Sequence, residues 1–331
     1  MVKYLIIRFS SIGDIVLTTP VLRNLKNQGE DVEIHYLTKA CYTDLLKANP
    51  YIDEVHGFEG SVSKWSHKLK YEHFDYIIDL HNNIRSRRFL NKLKVLSFSV
   101  DKINIKKWLI VNFKINRLPD KHIVDRYLET LKIFDVINDG KGLDYFIPDI
   151  EEIDLSVLPE HFQKGYIAFS IGGKHNTKKL PVEKIISLCN KLTFPVLLMG
   201  GEEDKENGLM IVENTEKNVV NACGMYSIHQ SASLIKQAKY VISHDTGLMH
   251  IAAAFNKQII SIWGNTIPAF GMYPYLSENT NSESFIIQVN NLKCRPCSKI
   301  GFSKCPKKHF KCMQEIDEER IINICNNKLN K

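Results

Sequence analysis

The stretch KYVISHDTGLMHIAAAFNKQIISIWG, residues 239–264, contains a complete strand–helix–strand pattern. Two apolar runs of strand length, 239–243 and 257–264, flank an Ala- and Ile-rich segment of helical length. A helix between two such strands returns the chain to the start of the sheet, so the strands pair in parallel. The stretch therefore predicts a parallel β-sheet covered by helices.

The same rhythm extends along the chain in both directions. It weakens between residues 138 and 163, where Gly, Pro and acidic residues indicate a linker. Other apolar runs of strand length lie at 4–9, 33–38, 53–58, 74–80, 166–171, 194–200 and 285–289. We therefore predict an α/β protein of two doubly wound, Rossmann-like domains, residues 1–150 and 151–331.

Length and composition fit this prediction. The 331 residues are 44% hydrophobic and 24% charged, as in ordinary globular proteins. No run of eighteen apolar residues predicts a membrane span, and the N-terminal apolar run is too short for a signal peptide. We therefore expect a cytoplasmic protein.

The net charge of +7 is unevenly distributed. Eleven Lys or Arg residues lie between Arg85 and Lys121, against the two acids Asp101 and Asp120. Such a basic stretch is either a solvated surface or the binding site of an anionic partner such as a nucleic acid, an anionic lipid surface or an acidic glycan.

Four of the eight cysteines cluster near the C-terminus, in CRPCSKIGFSKCPKKHFKC. They are Cys294, Cys297, Cys305 and Cys312. A Cys-x-x-Cys followed by two more cysteines favours a structural zinc ion in a cytosolic protein. Reduced thiols and, under oxidising conditions, disulfides remain alternatives.

In doubly wound sheets, ligands bind where strands end and helices begin. The first such junction is RFSSIGDIVLTTP, residues 8–20, where Ser11, Gly13 and Asp14 precede an apolar helix. These residues either cap the helix or form a site in which Gly13 admits a substrate and Asp14 acts as a base.

Two junctions in the second half carry similar signals. FSIGGKHNTKKLP, residues 169–181, combines Ser170, two glycines and several lysines, as in a phosphate-binding loop or a solvated basic loop. MGGEED, residues 199–204, places Glu202 after a strand, where an acid either caps the turn or binds ribose hydroxyls.

The opening stretch contains the most specific of these junctions. Thr246 and Gly247 start a helix, whose free amides and dipole attract an anion. His250 lies one turn later on the same face, and Asp245 suits sugar hydroxyls better than phosphate. Together these residues predict a nucleotide-sugar pocket, although His250 by itself is also typical of a helix core.

The motifs resemble those of glycosyltransferase family 9, the bacterial ADP-heptose:lipopolysaccharide heptosyltransferases and their relatives. RFSSIGDIVLTTP, DLHNNIRSRR, NTKKLP, GGEED, SHDTGLMHIAAA and WGNTIP occur in the family's order and span essentially the whole chain. The resemblance implies a GT-B fold, with an N-terminal acceptor domain facing a C-terminal nucleotide-sugar domain across a cleft. It also implies an inverting, metal-independent transfer.

The resemblance also implies roles for individual residues. Asp14 would be the general base, and Lys178 would stabilise the leaving nucleotide. Ser170, Glu202, Asp245, Thr246, Gly247 and His250 would bind the donor; Ser11, Gly13, Arg85, Arg87 and Arg88 would bind the acceptor. Leu180 stands where many relatives have an aromatic residue, so the identity of the sugar is less constrained than the reaction type.

The favoured hypothesis is therefore transfer of a sugar, heptose from ADP-heptose, to a hydroxyl of the lipopolysaccharide core. The basic stretch would hold the protein peripherally at the cytoplasmic face of the inner membrane, next to an anionic lipid-linked glycan acceptor. Alternatives are a UDP- or GDP-sugar transferase, a nucleotide-sugar epimerase, or a basic nucleotide- or nucleic-acid-binding protein. No groove-reading pattern favours the last, and we expect no nucleic-acid partner and no cofactor requirement for catalysis.

Overall fold

A computed structural model describes residues 1–216 and 218–328. The chain forms two compact units. The first unit comprises Met1–Ile103, Lys121–Phe146 and Ser277–Asn279, and the second takes the remaining described residues. This division differs from a single boundary near residue 150, because Asn104–Asp120 groups with the second unit.

The first unit contains a five-stranded parallel sheet in the order β3-β2-β1-β4-β5. Its strands are β1 (Val2–Ile7), β2 (Val32–Lys39), β3 (Glu54–Phe58), β4 (Tyr76–Asp79) and β5 (Leu96–Ser99). Burial follows the pattern expected for a parallel sheet covered on both faces, because consecutive residues of β1 are inaccessible from Tyr4 onward.

The second unit contains a six-stranded parallel sheet in the order β11-β10-β9-β6-β7-β8. Its strands are β6 (Ile167–Ser170), β7 (Val196–Met199), β8 (Val219–Asn221), β9 (Tyr240–His244), β10 (Gln258–Trp263) and β11 (Ser284–Gln288). The strand–helix–strand stretch with which the sequence analysis began forms β9, the helix that follows it and β10 at the centre of this sheet.

Helices follow most strands, as the alternating pattern predicts. Those of the first unit are α1 (Ile12–Val16), α2 (Thr19–Gln28), α3 (Asp44–Lys47), α4 (Val62–Lys70), α5 (Ile84–Leu93) and α7 (Ile123–Leu128). Those of the second are α6 (Asn104–Phe113), α8 (Glu160–Gln163), α9 (Val182–Lys191), α10 (Lys205–Glu213), α11 (Ile228–Gln237), α12 (Gly247–Ala254), α13 (Lys311–Gln314) and α14 (Glu318–Lys328).

Each sheet has its own apolar core. In the first unit one face of the sheet, with Leu5, Ile7 and Leu37, packs against α4 and α5. In the second, Phe169, Leu198 and Ile242 belong to a cluster that extends to the C-terminal helices. Each fully buried aliphatic side chain of this kind contributes roughly 1.5–3 kcal/mol. The strand ends are held by these cores, which is what positions the polar loops beyond them.

The predicted doubly wound parallel sheets are confirmed. None of the helices in the described part of the chain combines the length and apolarity needed to cross a membrane.

Candidate functional site

Asp14 lies just beyond the carboxyl end of β1, in the first turn of α1. Its Oδ2 accepts hydrogen bonds from the backbone N–H and the hydroxyl of Ser11, at 3.1 and 2.8 Å. Its Oδ1 lies 2.6 Å from Nη2 of Arg8. We call these residues the Arg8–Asp14 cluster. The capping interpretation of this junction therefore agrees with the structure, and the carboxylate also pairs with a cation; its action as a base stays a prediction.

Arg8 is buried and holds this end of the sheet together. Its guanidinium donates to the carbonyls of Ser10 and Leu80, at 2.9 and 2.7 Å, and to the Tyr127 hydroxyl at 3.0 Å. Burial alone would lower the pKa of Arg8, but Asp14 outweighs it and the pKa lies above its ordinary value. The cation is therefore permanent, and it favours the ionised form of Asp14.

A histidine next to this cluster belongs to the DLHNN motif. The His81 ring lies against Phe9, with centroids 5.0 Å apart. Burial, followed by the charge of Arg8, lowers the pKa of His81 to about 3. The imidazole is therefore neutral at physiological pH and can exchange hydrogen bonds with a neutral sugar hydroxyl.

Asp79 positions the start of α5. It is fully buried and accepts hydrogen bonds from the backbone N–H groups of His81 and Asn82 and from Ser86 Oγ, at 2.9, 2.8 and 2.6 Å. Because α5 begins at this turn, Asp79 sets the direction in which that helix leaves the sheet.

The three arginines predicted to bind the acceptor all lie on α5 and are exposed. Arg85 packs over the Phe58 ring at 5.9 Å, and Arg87 donates to Asn82 at 3.3 Å. Arg88 is also exposed. Gly13 is buried in α1, whereas Ser11 is exposed beside Asp14. The predicted basic stretch, however, is divided between the units after Ile103.

In the second unit Lys178 and Asp245 meet at the carboxyl end of the sheet. Lys178 Nζ lies 2.5 Å from Asp245 Oδ2, and Thr266 Oγ1 donates to the same oxygen at 3.0 Å. Both charged side chains are largely buried, at 17% and 11% exposure. We call these three residues the Lys178–Asp245 cluster. A lysine and an aspartate separated by 67 residues are thus brought together, a pairing that the motifs did not predict.

The start of α12 lies in the same loop. Thr246 is its N-cap residue but makes no side-chain capping hydrogen bond, and its hydroxyl lies 3.3 Å from Ser243 Oγ instead. The first amides of α12 are therefore not satisfied by the N-cap side chain, and Gly247 leaves the backbone accessible. His250 is buried one turn later, at 2% exposure.

Polar atoms buried near these strand ends lack hydrogen-bond partners among the described residues. They include Ser170 Oγ at the end of β6, and Oδ1 and Nδ2 of Asn265 after β10. Ser170 and Asn265 are 2% and 1% exposed. Buried polar atoms usually have partners, so this pattern indicates a site that a polar ligand or water completes.

Glu202 does not share this environment. Its side chain is 70% exposed and pairs with Lys205 at 3.2 Å. The buried acid of the GGEED motif is Asp204, which is 1% exposed, accepts from the Gly201 N–H at 3.1 Å and pairs with Lys179 at 2.6 Å. Ribose binding by Glu202 stays a prediction, and Asp204 is a structural anchor that organises the loop around Gly172.

The four clustered cysteines are free thiols; Cys294, Cys297 and Cys305 lie in the loop after β11, and Cys312 lies in α13. Burial, followed by the nearby thiol of Cys297, raises the pKa of Cys312 to about 12. Within residues 1–216 and 218–328, no three of the four sulfur atoms lie within 4.8 Å of one another. The loop therefore gathers the cysteines without a ready-made tetrahedral arrangement, and the predicted zinc ion stays a prediction.

The Cys-rich loop is held by an element that the sequence did not associate with it. Lys114, which follows α6, donates to the carbonyls of Cys294 and Pro296 at 3.2 and 2.6 Å. This contact links Asn104–Asp120 to the second unit, as does Lys107, whose Nζ lies 5.6 Å from the centre of the Phe270 ring.

Sequence reasoning missed Arg8, His81, Thr266 and Asn265. Arg8 follows the apolar run of β1 and precedes SSIGD. A charged residue directly after a buried strand is a signal from which a buried cation next to Asp14 could have been predicted. Thr266 and Asn265 lie in WGNTIP, which was identified only as one of the family motifs, with no role assigned to its residues. No local signal shows which side chain an aspartate 21 residues away will contact.

Comparison with known proteins supports the motif interpretation. The family model described as "Glycosyltransferase family 9 (heptosyltransferase)" matches residues 62–305. Lipopolysaccharide heptosyltransferase 1 of Campylobacter coli is 24% identical to this chain, over 97% of each chain.

Two solved structures show the fold. The E. coli ADP-heptose lps heptosyltransferase II has a TM-score of 0.75 at 20% identity, covering 99% of this chain and 98% of that one. E. coli heptosyltransferase WaaC with ADP-2-deoxy-2-fluoro heptose has a TM-score of 0.67 at 17% identity, covering 98% and 99%. The predicted GT-B fold class and the family resemblance are confirmed.

Proposed function

The chain belongs to glycosyltransferase family 9, and from this premise we propose that it transfers a heptose from ADP-heptose to a hydroxyl of the lipopolysaccharide core, with inversion. The observation that carries the proposal is the Lys178–Asp245 cluster beside the uncapped start of α12. It places the Lys178 ammonium next to the first amides of a helix at the carboxyl end of a doubly wound sheet, the kind of position that suits a diphosphate.

The donor side of the proposal uses residues of the second unit. Lys178 and the first amides of α12 would neutralise the diphosphate, with Thr246 and Gly247 closest to it. Asp245, with both Lys178 and Thr266 already fixing Oδ2, would accept hydrogen bonds from sugar hydroxyls through its other oxygen. Ser170 and Asn265 offer the buried polar atoms that lack partners among the described residues.

The proposed nucleotide and sugar are inferred from the relatives of this chain. One solved relative carries an ADP-heptose analogue, and relatives with lipopolysaccharide heptosyltransferase activity match over nearly the full length. We therefore propose ADP-heptose rather than a UDP- or GDP-sugar, and an enzyme rather than a nucleic-acid-binding protein.

The base of the proposed reaction is Asp14. The acceptor hydroxyl oxygen would bond to the anomeric carbon as the bond from that carbon to the diphosphate oxygen breaks. The hydroxyl proton would pass to Asp14, and the bonding electron pair would leave with ADP. Arg8 would hold the carboxylate in place and ionised, and Ser11 would fix its rotamer.

We propose that the transfer needs no metal ion for catalysis. Lys178 and the α12 amides are fixed positive groups at the leaving diphosphate, and such preorganised groups can supply the stabilisation that a divalent ion gives elsewhere. Turnover measured after chelator treatment is expected to match that of untreated enzyme.

The acceptor is proposed to be a lipid-linked, anionic glycan at the cytoplasmic face of the inner membrane. Two features support a peripheral contact with this surface. Arg85, Arg87 and Arg88 are exposed on α5, and α6 exposes Ile105 and Trp108 at 77% and 53% beside several lysines. Apolar and aromatic side chains among basic residues are typical of interfacial helices.

The direct test incubates the purified protein with ADP-heptose and a lipopolysaccharide acceptor that lacks heptose. ADP release and a mass gain of one heptose on the acceptor are expected. UDP- and GDP-sugars serve as competing donors, and a thermal-shift series with ADP, UDP, GDP, NAD and a DNA oligomer reports binding independently. Stabilisation by UDP or GDP but not ADP contradicts the proposed donor.

A further inference from the structure

Two neighbouring strands of the first unit repeat the pattern Glu-x-His. Glu33 and His35 lie on β2, and Glu54 and His56 lie on β3. The strands pair in parallel, with His35 opposite Glu54 and Leu37 opposite His56. Because side chains alternate along a strand, all four point to the same face of the sheet.

The two imidazoles meet inside this face. His35 Nδ1 lies 2.9 Å from His56 Nε2, and the two residues are 1% and 2% exposed. The Glu54 carboxylate completes the group, 3.8 Å from His35 Nδ1 and 3.4 Å from His56 Nδ1. Among the described residues, this is the one group of three or more His, Cys, Asp or Glu side chains whose ligand atoms all lie within 4.8 Å.

Glu33 determines which nitrogen of His35 is a ligand. Its carboxylate accepts from His35 Nε2 at 2.6 Å and also pairs with Lys3 at 3.1 Å. His35 therefore keeps its proton on Nε2, in the hydrogen bond to Glu33, and the lone pair of His35 Nδ1 faces His56. A carboxylate that holds the remote nitrogen of a histidine is the usual outer partner in metal sites.

The proton count leaves His56 with a conflict. If its single proton lies on Nε2, the bare Nδ1 faces the Glu54 carboxylate. If the proton lies on Nδ1, two bare nitrogens face each other at 2.9 Å. A second proton would place a positive charge on a buried ring. A divalent cation bound by His35 Nδ1, His56 Nε2 and the Glu54 carboxylate removes the conflict without that second proton.

We propose that His35, His56 and Glu54 form a binding site for a divalent transition-metal ion, of which zinc is the best match. Two imidazoles and one carboxylate, with water as a fourth ligand, are a common zinc set. Two nitrogens of a tetrahedral zinc site lie roughly 3.3 Å apart, so the rings need to separate by only a few tenths of an ångström.

The location of the site indicates a structural role. Glu54 is the first residue of the edge strand β3, at the opposite end of the sheet from Asp14. Ligands of catalytic groups in doubly wound sheets cluster at the carboxyl ends instead. A metal ion here would tie β3 to β2 and stabilise an edge held by five residue pairs.

The test measures zinc binding by the full-length chain in a Cys294→Ser/Cys297→Ser background, which removes the Cys-x-x-Cys thiols. Metal-free protein is dialysed against Zn²⁺ and the bound zinc is quantified. About one equivalent is expected, lost in His56→Gln and retained in His67→Gln, which replaces an exposed histidine of the same unit. Co²⁺ should give a visible spectrum without a thiolate charge-transfer band.

A second pair of variants keeps the test decisive if His56→Gln does not fold. Glu54 is about half exposed, so Glu54→Gln should fold normally while weakening zinc affinity at least about tenfold. Glu59→Gln, at an exposed position just beyond β3, is the matched control and should not change it. The site is refuted if the background protein binds no zinc, or if Glu54→Gln and Glu59→Gln give the same binding curve.

Discussion

Arg8 Nη2 lies 2.6 Å from Asp14 Oδ1, so the carboxylate proposed as the catalytic base is one half of an ion pair with a buried cation. The other N–H groups of Arg8 donate hydrogen bonds to Ser10, Leu80 and Tyr127, which belong to three different parts of the first unit. The position of the base is therefore set by the packing of the whole unit, and not by the local turn alone.

Replacement of Asp14 by Asn should remove proton acceptance and keep ADP binding. Transfer is expected to fall by about 100- to 10,000-fold, the usual contribution of a general base. Steady-state kinetics and the ADP-induced thermal shift measure the two effects separately. Asp44→Asn, at an exposed position of the same unit, is the control. Turnover near the wild-type rate in Asp14→Asn would exclude Asp14 as the base.

Replacement of Arg8 by Lys tests the positioning of that base. A lysine cannot reproduce the fork of hydrogen bonds to Leu80, Tyr127 and Asp14. We expect a loss of about 1–3 kcal/mol in the free energy of unfolding and a lower kcat, with little change in KM for the donor. Chemical denaturation and kinetics provide the readouts. Arg320→Lys, at an exposed position of α14 outside the proposed site, should behave like the wild type; equal behaviour of the two variants would contradict the role of Arg8.

Replacement of Lys178 by Ala should weaken ADP binding and slow transfer. The variant removes the cation at the proposed diphosphate site and leaves the Asp245 carboxylate without its ion-pair partner. A loss in kcat/KM of about 100-fold is expected for a group of this kind. Calorimetric titration with ADP measures the binding part. Lys174→Ala, at an exposed position of the same loop, controls for loss of charge alone, and an equal effect there argues against a specific contact.

His244 should make stability depend on pH in a defined range. Burial lowers its pKa to about 4, below the ordinary value of 6.5, and its Nε2 accepts from the Leu180 N–H at 2.9 Å. The unfolded chain therefore takes up the proton first. The stability from neutral His244 is complete above pH 6.5 and is lost as pH falls towards 4, by up to about 3 kcal/mol.

Denaturant unfolding at a series of pH values measures this contribution. His81 and other groups also contribute in this range. The slope of the free energy of unfolding against pH is therefore compared between His244→Asn and the wild type. A shallower slope between pH 6.5 and 4 is expected for the variant. Parallel curves of unfolding free energy against pH would show that His244 takes up its proton equally readily in the folded and the unfolded chain.

The exposed apolar residues of α6 should contribute to membrane association. Co-sedimentation with vesicles containing anionic lipid at low salt is expected to exceed that with neutral vesicles, and to fall in Trp108→Ser. Ile133→Ser removes an exposed apolar residue of the first unit and serves as the control. Equal retention by anionic and neutral vesicles removes the electrostatic part of the proposal.

The strand–helix rhythm was sufficient to predict both parallel sheets. Strands buried on both faces require continuous apolar runs, and helices require a different period, so the pattern of residues determines the elements locally. The motif junctions were also predictable, because polar and glycine residues after a buried strand stand out. Asp14 and Asp245 were singled out in this way, whereas Lys178 was chosen among several lysines only through the family resemblance.

The partners of those residues were not predictable. Glu202 stands in the motif, yet it is exposed, and the buried acid of the same turn is Asp204. β2 and β3 share the pattern Glu-x-His, but the register that brings His35 to His56 is set by the pairing of the two strands and cannot be derived from either segment alone. Asn104–Asp120 groups with the second unit, where Lys114 donates to carbonyls 180 and 182 residues away, and no local signal indicates such contacts.

Periodicity, composition and motif order thus determined the fold class, the family and the chemical type of the strand-end residues, because each of these depends on neighbours along the chain. Packing decided which cation holds Asp14, which acid of GGEED is buried and which histidines meet. Those outcomes depend on distances between segments far apart in sequence, and only the close packing of the two cores sets such distances.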